Sequence, residues 1–270
     1  MTDFSLSPEQ QMLKEMTKEF AETELMPGVI DRDHHSKFPK KQLKKMGELG
    51  LMGVMVPEEW GGAGFNTLSY VIAIEEIAAV ELATSTIMSV NNSLVCQVFL
   101  DWANDEQKSK FLIPLARGEK LGAYSLSEPQ SGSDASNIQT FAKKKGKEYI
   151  INGTKNWVTS GQNSDVIICF CLTAEEDKNK NISCFIIEKD TPGLGIGKKE
   201  DKLGIRASDT CELYFDNCIV SENNLLGSEG QGFSIAMHAL SGGRIGIAAQ
   251  AVGLARTALE KSVFYSNERK

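Results

Sequence analysis

At 270 residues the chain is longer than one typical domain and can bury a substantial core. Hydrophobic residues make up 41% and charged residues 24%, the balance of a soluble globular protein. A net charge of −7 argues against nucleic acid or an acidic membrane surface as a partner, and no apolar run reaches membrane-spanning length.

Met1-Thr2-Asp3-Phe4 shows neither a secretory nor a transit-peptide pattern, which suits a cytoplasmic protein. The first helix opens at Ser7-Pro8-Glu9-Gln10, with Ser at the cap, Pro in the first turn and Gln three on. It runs through Met12, Met16 and Phe20 toward Leu25, and Pro27-Gly28 ends it. Phe38-Pro39 opens a second helix with Leu43, Met46 and Leu49 on one face, and Gly50 to Gly64 reads as loop. A third helix starts near Thr67, and its Glu75-Glu76 pair is expected on an edge facing water or a partner chain. Val90-Asn91-Asn92-Ser93-Leu94 is expected to begin a fourth, and Asn104-Asp105-Glu106-Gln107 is a capping box for a fifth. Helices with short links predict an N-terminal helical bundle over 1–120.

From Leu121 the period changes to two. The strand candidates are Leu121–Leu126, Asn137–Lys144, Glu148–Thr159, Val166–Leu172, Ile182–Glu188, Gly195–Lys199 and Thr210–Val220. Turn signals at Lys145-Gly146, Asn152-Gly153, Thr191-Pro192-Gly193 and Asp216-Asn217 separate them, so 121–226 is expected to form a small antiparallel β-sandwich or barrel. Helices first and strands second exclude an alternating βαβ plan, so the class is α+β multidomain. No Gly-x-Gly-x-x-Gly follows the first strand, which argues against a Rossmann cofactor site. The six cysteines, at 96, 169, 171, 184, 211 and 218, form neither a Cys-x-x-Cys nor a Cys/His cluster. No metal site is expected, and Cys169 and Cys171 are assigned to packing.

Over 227–270, Gly227-x-x-Gly230-x-Gly232-Phe233 leads into a helix of about 35 residues with Met237, Leu240, Ile247, Ala251 and Leu254 at three-to-four spacing. It is expected to be the first helix of a C-terminal helical bundle. A stripe that wide needs a cover, from further chain or from another subunit.

Two stretches carry chemistry. Ala123–Ser136 turns from a short alternating run into a loop rich in hydroxyls, where small residues let a flat polar ligand approach the main chain. Ile151–Ser160 offers Trp157 and Thr159, two positions apart and so expected on one strand face. Leu126-Ser127-Glu128-Pro129-Gln130-Ser131-Gly132-Ser133-Asp134 resembles the first signature of the acyl-CoA dehydrogenase family, apart from Ser125 where a Gly, Ala or Cys is usual. Val56-Pro57-Glu58-Glu59-Trp60-Gly61-Gly62 and Lys202–Thr210 are also similar to family stretches, and Arg206 is read there as structural.

The resemblance implies FAD as cofactor. Tyr124, Ser125, Leu126, Ser127, Glu128, Pro129, Gln130, Ser131, Gly132 and Ser133 would line the isoalloxazine and pyrophosphate, with Trp157, Val158 and Thr159 bordering the ring. A reduced flavin gathers negative charge that backbone N–H groups and hydroxyls stabilise, and an indole face shields the ring from water. The implied reaction is α,β-dehydrogenation of an acyl-CoA thioester, with electrons passed to an electron-transferring flavoprotein and a homotetramer as the assembly. Substrate contacts would come from Ser133 and from Ser241, Gly242, Gly243 and Arg244, although Ser241 replaces an acidic residue of the family and carries no charge. Ser89–Leu94 resembles the corresponding helix of short-chain, butyryl-type members, near the acyl-pocket floor. The family's base is usually a Glu in a further C-terminal part. A minority use a Glu just before the Arg, where Gly243 stands here. Glu128 and Asp134 are read as structural. No catalytic base is therefore expected in these residues, which are read as C-terminally truncated and inactive alone. The rival readings are an oxidase of the same fold passing electrons to dioxygen, and a non-catalytic binding module.

Overall fold

The computed structural model describes residues 5–174 and 181–269. Helices occupy the first part. They are α1 (Pro8–Phe20), α2 (Val29–His34), α3 (Lys40–Glu48), α4 (Thr67–Val80), α5 (Leu82–Ser89), α6 (Gln97–Trp102), α7 (Asp105–Gln107) and α8 (Ile113–Ala116). The Ser7 hydroxyl accepts from the Gln10 N–H, and the Gln10 side chain accepts from the Ser7 N–H, the reciprocal cap the sequence predicts for α1. A π-helical turn, Ala21–Leu25, carries the rod on to Gly28, whose φ of 80° only glycine adopts freely. In α3, Leu43 and Met46 point inward, whereas Leu49 lies past the helix end and is 40% exposed. The short α2 carries no apolar period long enough to be read from sequence.

Val90 does not begin a helix. It sits inside a rod that passes from α5 through a π-helical stretch, Val90–Cys96, into α6. The polar pair at the expected helix start uses its side chains on backbone groups. Asn91 Nδ2 donates to the Met52 and Leu115 carbonyls at 2.9 and 3.2 Å, and its Oδ1 accepts from the Gly122 N–H at 3.0 Å. Asn92 Nδ2 donates to the Leu51 and Met88 carbonyls, and its Oδ1 accepts from the Val54 N–H at 2.8 Å. Both are buried, so loop backbone that cannot reach water is satisfied by these two amides. Asn104 and Gln107 form the expected capping box at α7.

Among the described residues eight strands follow: β1 (Gly122–Ser125), β2 (Phe141–Lys145), β3 (Glu148–Thr159), β4 (Val166–Leu172), β5 (Ile182–Glu188), β6 (Leu194–Lys199), β7 (Thr210–Ser221) and β8 (Leu225–Leu226). They join in one sheet of order β6-β7-β3-β2-β4-β5-β8, with β1 against β4. Most neighbours are antiparallel, as expected, but β1 pairs with β4 in parallel, and β2 touches β4 in parallel at Phe141 and Leu172. Parallel neighbours need a long connection, and the intervening strands supply it. β4 is buried along its whole length because both faces of the sheet are covered there. One core joins helices to sheet through Val95, Phe99, Phe111, Ile168, Phe170 and Ile235, and a second fills the sheet around Tyr149, Ile151 and Phe185. All six cysteines are buried free thiols.

The last element, α9 (Gly232–Glu268), is 37 residues long. Its first half packs on α4, α5 and the π stretch. A Cβ at Gly253 would come 2.3 Å from the Glu75 carbonyl oxygen, so glycine permits that approach. Leu254, Leu259, Val263, Phe264 and Tyr265 farther along are exposed. The Glu75-Glu76 expectation fails at Glu76, which is 4% exposed and faces Arg256 Nη2 of α9 at 3.0 Å and Lys14 Nζ at 3.8 Å. α9 covers that edge within the same chain.

A second buried ion pair closes the N-terminal helices. Arg32 donates from Nε and Nη2 to the two Glu81 oxygens at 2.8 and 3.1 Å, and also to the Leu25 and Pro27 carbonyls. Thr84 adds a 2.6 Å hydrogen bond to Glu81. Removing one partner of such a pair strands a buried charge. Glu81→Ala is expected to cost about 3–5 kcal/mol in urea unfolding; a loss below about 1 kcal/mol would show that water reaches Arg32.

Candidate functional site

The site forms where the polar loop after β1, the end of β3 and the face of α9 converge. After Ser125 the chain makes a tight reversal in which Glu128 and Ser131 exchange backbone hydrogen bonds of 2.8 and 3.0 Å. Ser131 donates its hydroxyl to the Asp134 carbonyl, which turns residues 132–136 across the mouth of the site. Glu128 lies beneath this loop, 3% exposed, with Lys155 Nζ of β3 at 2.7 Å. Burial alone pushes the Glu128 carboxyl up. The Lys155 ammonium and the N–H groups of Thr140 and Gln139 outweigh burial and hold it below its ordinary range. Its carboxylate is spent on these partners beneath the loop and does not line the cavity above.

Next to Lys155 the pairing of β3 with β7 slips between Lys155 and Val158, and Trp157 takes a φ of 61°. A bulge of this kind re-aims a side chain. The simple alternation expected for Trp157 and Thr159 is broken, yet both reach the same cavity. Trp157 is 61% exposed, and Val158 turns into the sheet core at 1%. The Asn156 N–H donates to the Ser127 carbonyl at 2.8 Å, tying loop to strand.

The cavity has a volume of about 550 Å³. Its polar wall is Ser127, Gly132, Ser133, Asp134, Ala135 and Ser136, and its strand wall is Asn156, Trp157 and Thr159. Tyr124 and Leu126 lie at its base. Val90 and Leu94 of the π stretch and Phe233, Met237, Leu240 and Arg244 of α9 close the remaining side. Tyr124 donates its hydroxyl to the Ala236 carbonyl at 3.3 Å, and burial raises its pKa well above the usual value, so it remains a neutral phenol. A second cavity of about 460 Å³ shares Val90, Leu94, Leu240 and Arg244 and continues past Ser89, Gly243 and Ile247 with a mainly apolar lining.

Of the residues singled out from sequence, Tyr124, Leu126, Ser127, Gly132, Ser133, Trp157, Thr159 and Arg244 meet in the first cavity, and Gly243 lines the second. Ser125, Glu128, Pro129, Gln130, Ser131 and Val158 do not line it. Ser125 is fully buried, Gln130 turns to Glu128 and the Asn137 carbonyl, and Ser131 is used inside the loop. Ser241 and Gly242 line neither cavity, and the Ser241 hydroxyl donates to the Met237 carbonyl at 3.0 Å within its own helix. Sequence reasoning named the segments but not Asn156, Ala135, Ser136, Phe233, Met237 and Leu240 as lining residues, whereas Val90 and Leu94 lie in the stretch expected near the acyl-pocket floor. The helical spacing of 233, 237, 240 and 244 was the available signal for α9.

A flat ring with polar edges suits this arrangement. Asn156 Oδ1 is buried without a hydrogen-bond partner, and a Cβ at Gly132 would meet nothing within 4 Å, so the mouth has unused polar capacity and open space. Asp134 is the carboxylate among the lining residues, and its Oδ1 accepts the Ser136 hydroxyl at 2.7 Å. No group of metal-ligating side chains occurs among the described residues, and no helix among them is long and apolar enough to cross a membrane.

Three family models match the chain in order. The acyl-CoA dehydrogenase N-terminal domain covers 7–119, the middle domain 123–218 and the C-terminal domain 230–270. The short-chain specific acyl-CoA dehydrogenase of Clostridium acetobutylicum is 47% identical over 268 residues, covering 99% of this chain and 71% of that protein. A chain solved in work on the electron transferring flavoprotein of Acidaminococcus fermentans superposes with a TM-score of 0.98 at 46% identity, covering 100% of this chain and 71% of that one. Butyryl-CoA dehydrogenase from Megasphaera elsdenii gives a TM-score of 0.97 at 42% identity, again over 100% and 71%. The three models together cover the helical part, most of the sheet and α9, and the relative matches 99% of the chain, so this chain belongs to the acyl-CoA dehydrogenase family.

Proposed function

We propose that this protein is an FAD-dependent dehydrogenase that converts short-chain acyl-CoA thioesters to 2-enoyl-CoA and passes the electrons to an electron-transferring flavoprotein. The observation that carries the reading is the meeting of a hydroxyl-lined cavity with an apolar groove at Val90, Leu94, Leu240 and Arg244. FAD, when bound, supplies the two-electron acceptor for the hydride that leaves the β-carbon.

The chain's own residues do the rest of the binding work. Ser127, Ser133, Ser136 and Thr159 offer hydroxyls to the polar edge of the cofactor, and Gly132 lets it approach the backbone. Trp157 gives the ring an apolar face and keeps water from it. Leu94, Leu240, Gly243 and Ile247 accommodate an acyl chain. Arg244, exposed where the two cavities join, suits the anionic nucleotide end of coenzyme A. The α-proton must pass to a carboxylate. Asp134 is engaged by Ser136 and position 243 has no side chain, which supports a base supplied from outside these 270 residues. The exposed second half of α9 needs a cover, from further chain or from another copy, and the family resemblance supports assembly as a homotetramer.

Full-length protein loaded with FAD is expected to lose its visible flavin band on addition of butyryl-CoA and to reduce a ferrocenium acceptor while forming the enoyl thioester. A band unchanged by acyl-CoA of any length would overturn the reading, and reoxidation in air faster than by the acceptor would assign an oxidase instead. Residues 1–270 alone are expected to show no steady turnover. Leu94→Ala should lengthen the groove and shift kcat/KM toward hexanoyl-CoA over butyryl-CoA by about tenfold; an unchanged chain-length profile would remove Leu94 from the pocket floor.

A further inference from the structure

We propose that Lys155 and Glu128, which do not line the cavity, are positioning residues that hold its polar wall against the Trp157 bulge and thereby set cofactor affinity. The proposal rests on FAD binding in this cavity. Lys155 is fully buried, and its ammonium reaches the Leu126 carbonyl at 3.0 Å as well as Glu128 at 2.7 Å. Glu128 accepts from the Thr140 N–H at 3.0 Å through one oxygen, and from the Gln139 N–H and the Gln130 side chain at 2.6 and 2.7 Å through the other. One ion pair therefore grips the start of the loop at 126 and 128 and its end at 139 and 140. Every loop residue of the polar wall lies between those two grips. On the strand side, the residue after Lys155 binds the Ser127 carbonyl, and the next is Trp157. The two walls that would face each other across a ring thus share one buried anchor.

The energetics distinguish positioning from plain stability. A buried ion pair is often no more stabilising than a well-packed apolar pair of similar volume. Uncharged side chains at both positions can restore packing. Without the ammonium and the full carboxylate, they cannot grip the Leu126 carbonyl and the two N–H groups at 139 and 140 together. Stability and loop geometry should therefore separate in a double variant.

The test uses full-length protein and three readouts: FAD Kd by titration, the melting temperature of the apoprotein, and the band shape of the bound flavin. Lys155→Met is expected to raise the FAD Kd by about tenfold or more and to alter the flavin band. Combining it with Glu128→Gln should return the melting temperature to near the wild-type value while the Kd stays raised. Glu128→Gln alone, which keeps its volume, gives the same Kd measurement if Lys155→Met does not fold. If the double variant binds FAD within about twofold of wild type, or if Kd recovers together with melting temperature, the pair is a structural strut and the proposal falls. If the wild type itself takes up no FAD, the functional reading fails instead.

Discussion

The constraint on which the rest of the structure leans is the satisfaction of backbone groups around Asn91 and Asn92. These two amides sit in mid-helix and bind the main chain at residues 51, 52, 54, 88, 115 and 122. The last of these is the first residue of β1, so the strand that leads into the polar loop is held by a side chain of the helical bundle. A Cβ at Gly122 would lie 2.5 Å from Val95, so the contact is close as well as polar. An unmet amide or carbonyl at this depth costs more than a made one returns, which makes the arrangement all-or-none. The π-helical stretch that carries the two residues also turns Val90 and Leu94 toward the cavities.

The site works by bringing together surfaces that no single element offers. The loop after β1 gives hydroxyls and bare backbone, the β3 bulge gives an aromatic face, and α9 gives an apolar flank ending in a cation. Each depends on a departure from regular structure: a reversal at 128–131, a register slip at 155–158, and glycines at 246 and 253 that let α9 lie close to α4 and α5. Such departures are common where chemistry is placed, because regular elements point side chains at the core or the solvent.

Much of this was legible in the residues. The strands Glu148–Thr159, Val166–Leu172 and Ile182–Glu188 lie where period-two reading puts them, but the turn signals at Asn152-Gly153 and Asp216-Asn217 fall inside β3 and β7, where they make a bulge in the pairing instead of a turn. The caps at Ser7 and Asn104 were equally clear, because reciprocal capping has a local signature. What escaped was non-local. Asn91-Asn92 reads locally as a helix start, and only the partner segments reveal its role. Glu76 reads as a solvent edge until Arg256, far along the chain, is placed beside it. Lys155 sits in an alternating strand like any surface lysine, and its burial follows from a carboxylate in a separate motif. In the same way the family signature marked the loop as a whole but not which of its side chains turn into the cavity.

The six buried thiols carry a consequence for handling the molecule. Burial pushes Cys96, Cys211 and Cys218 up to about 12, so their thiolates are scarce in the folded state at neutral pH. Alkylating reagents then find sulfur chiefly when a segment opens, and the helix–sheet junction and the sheet interior each hold at least one such sulfur. The chain contains its own reporters of local opening, spread through two cores, with no label to be introduced.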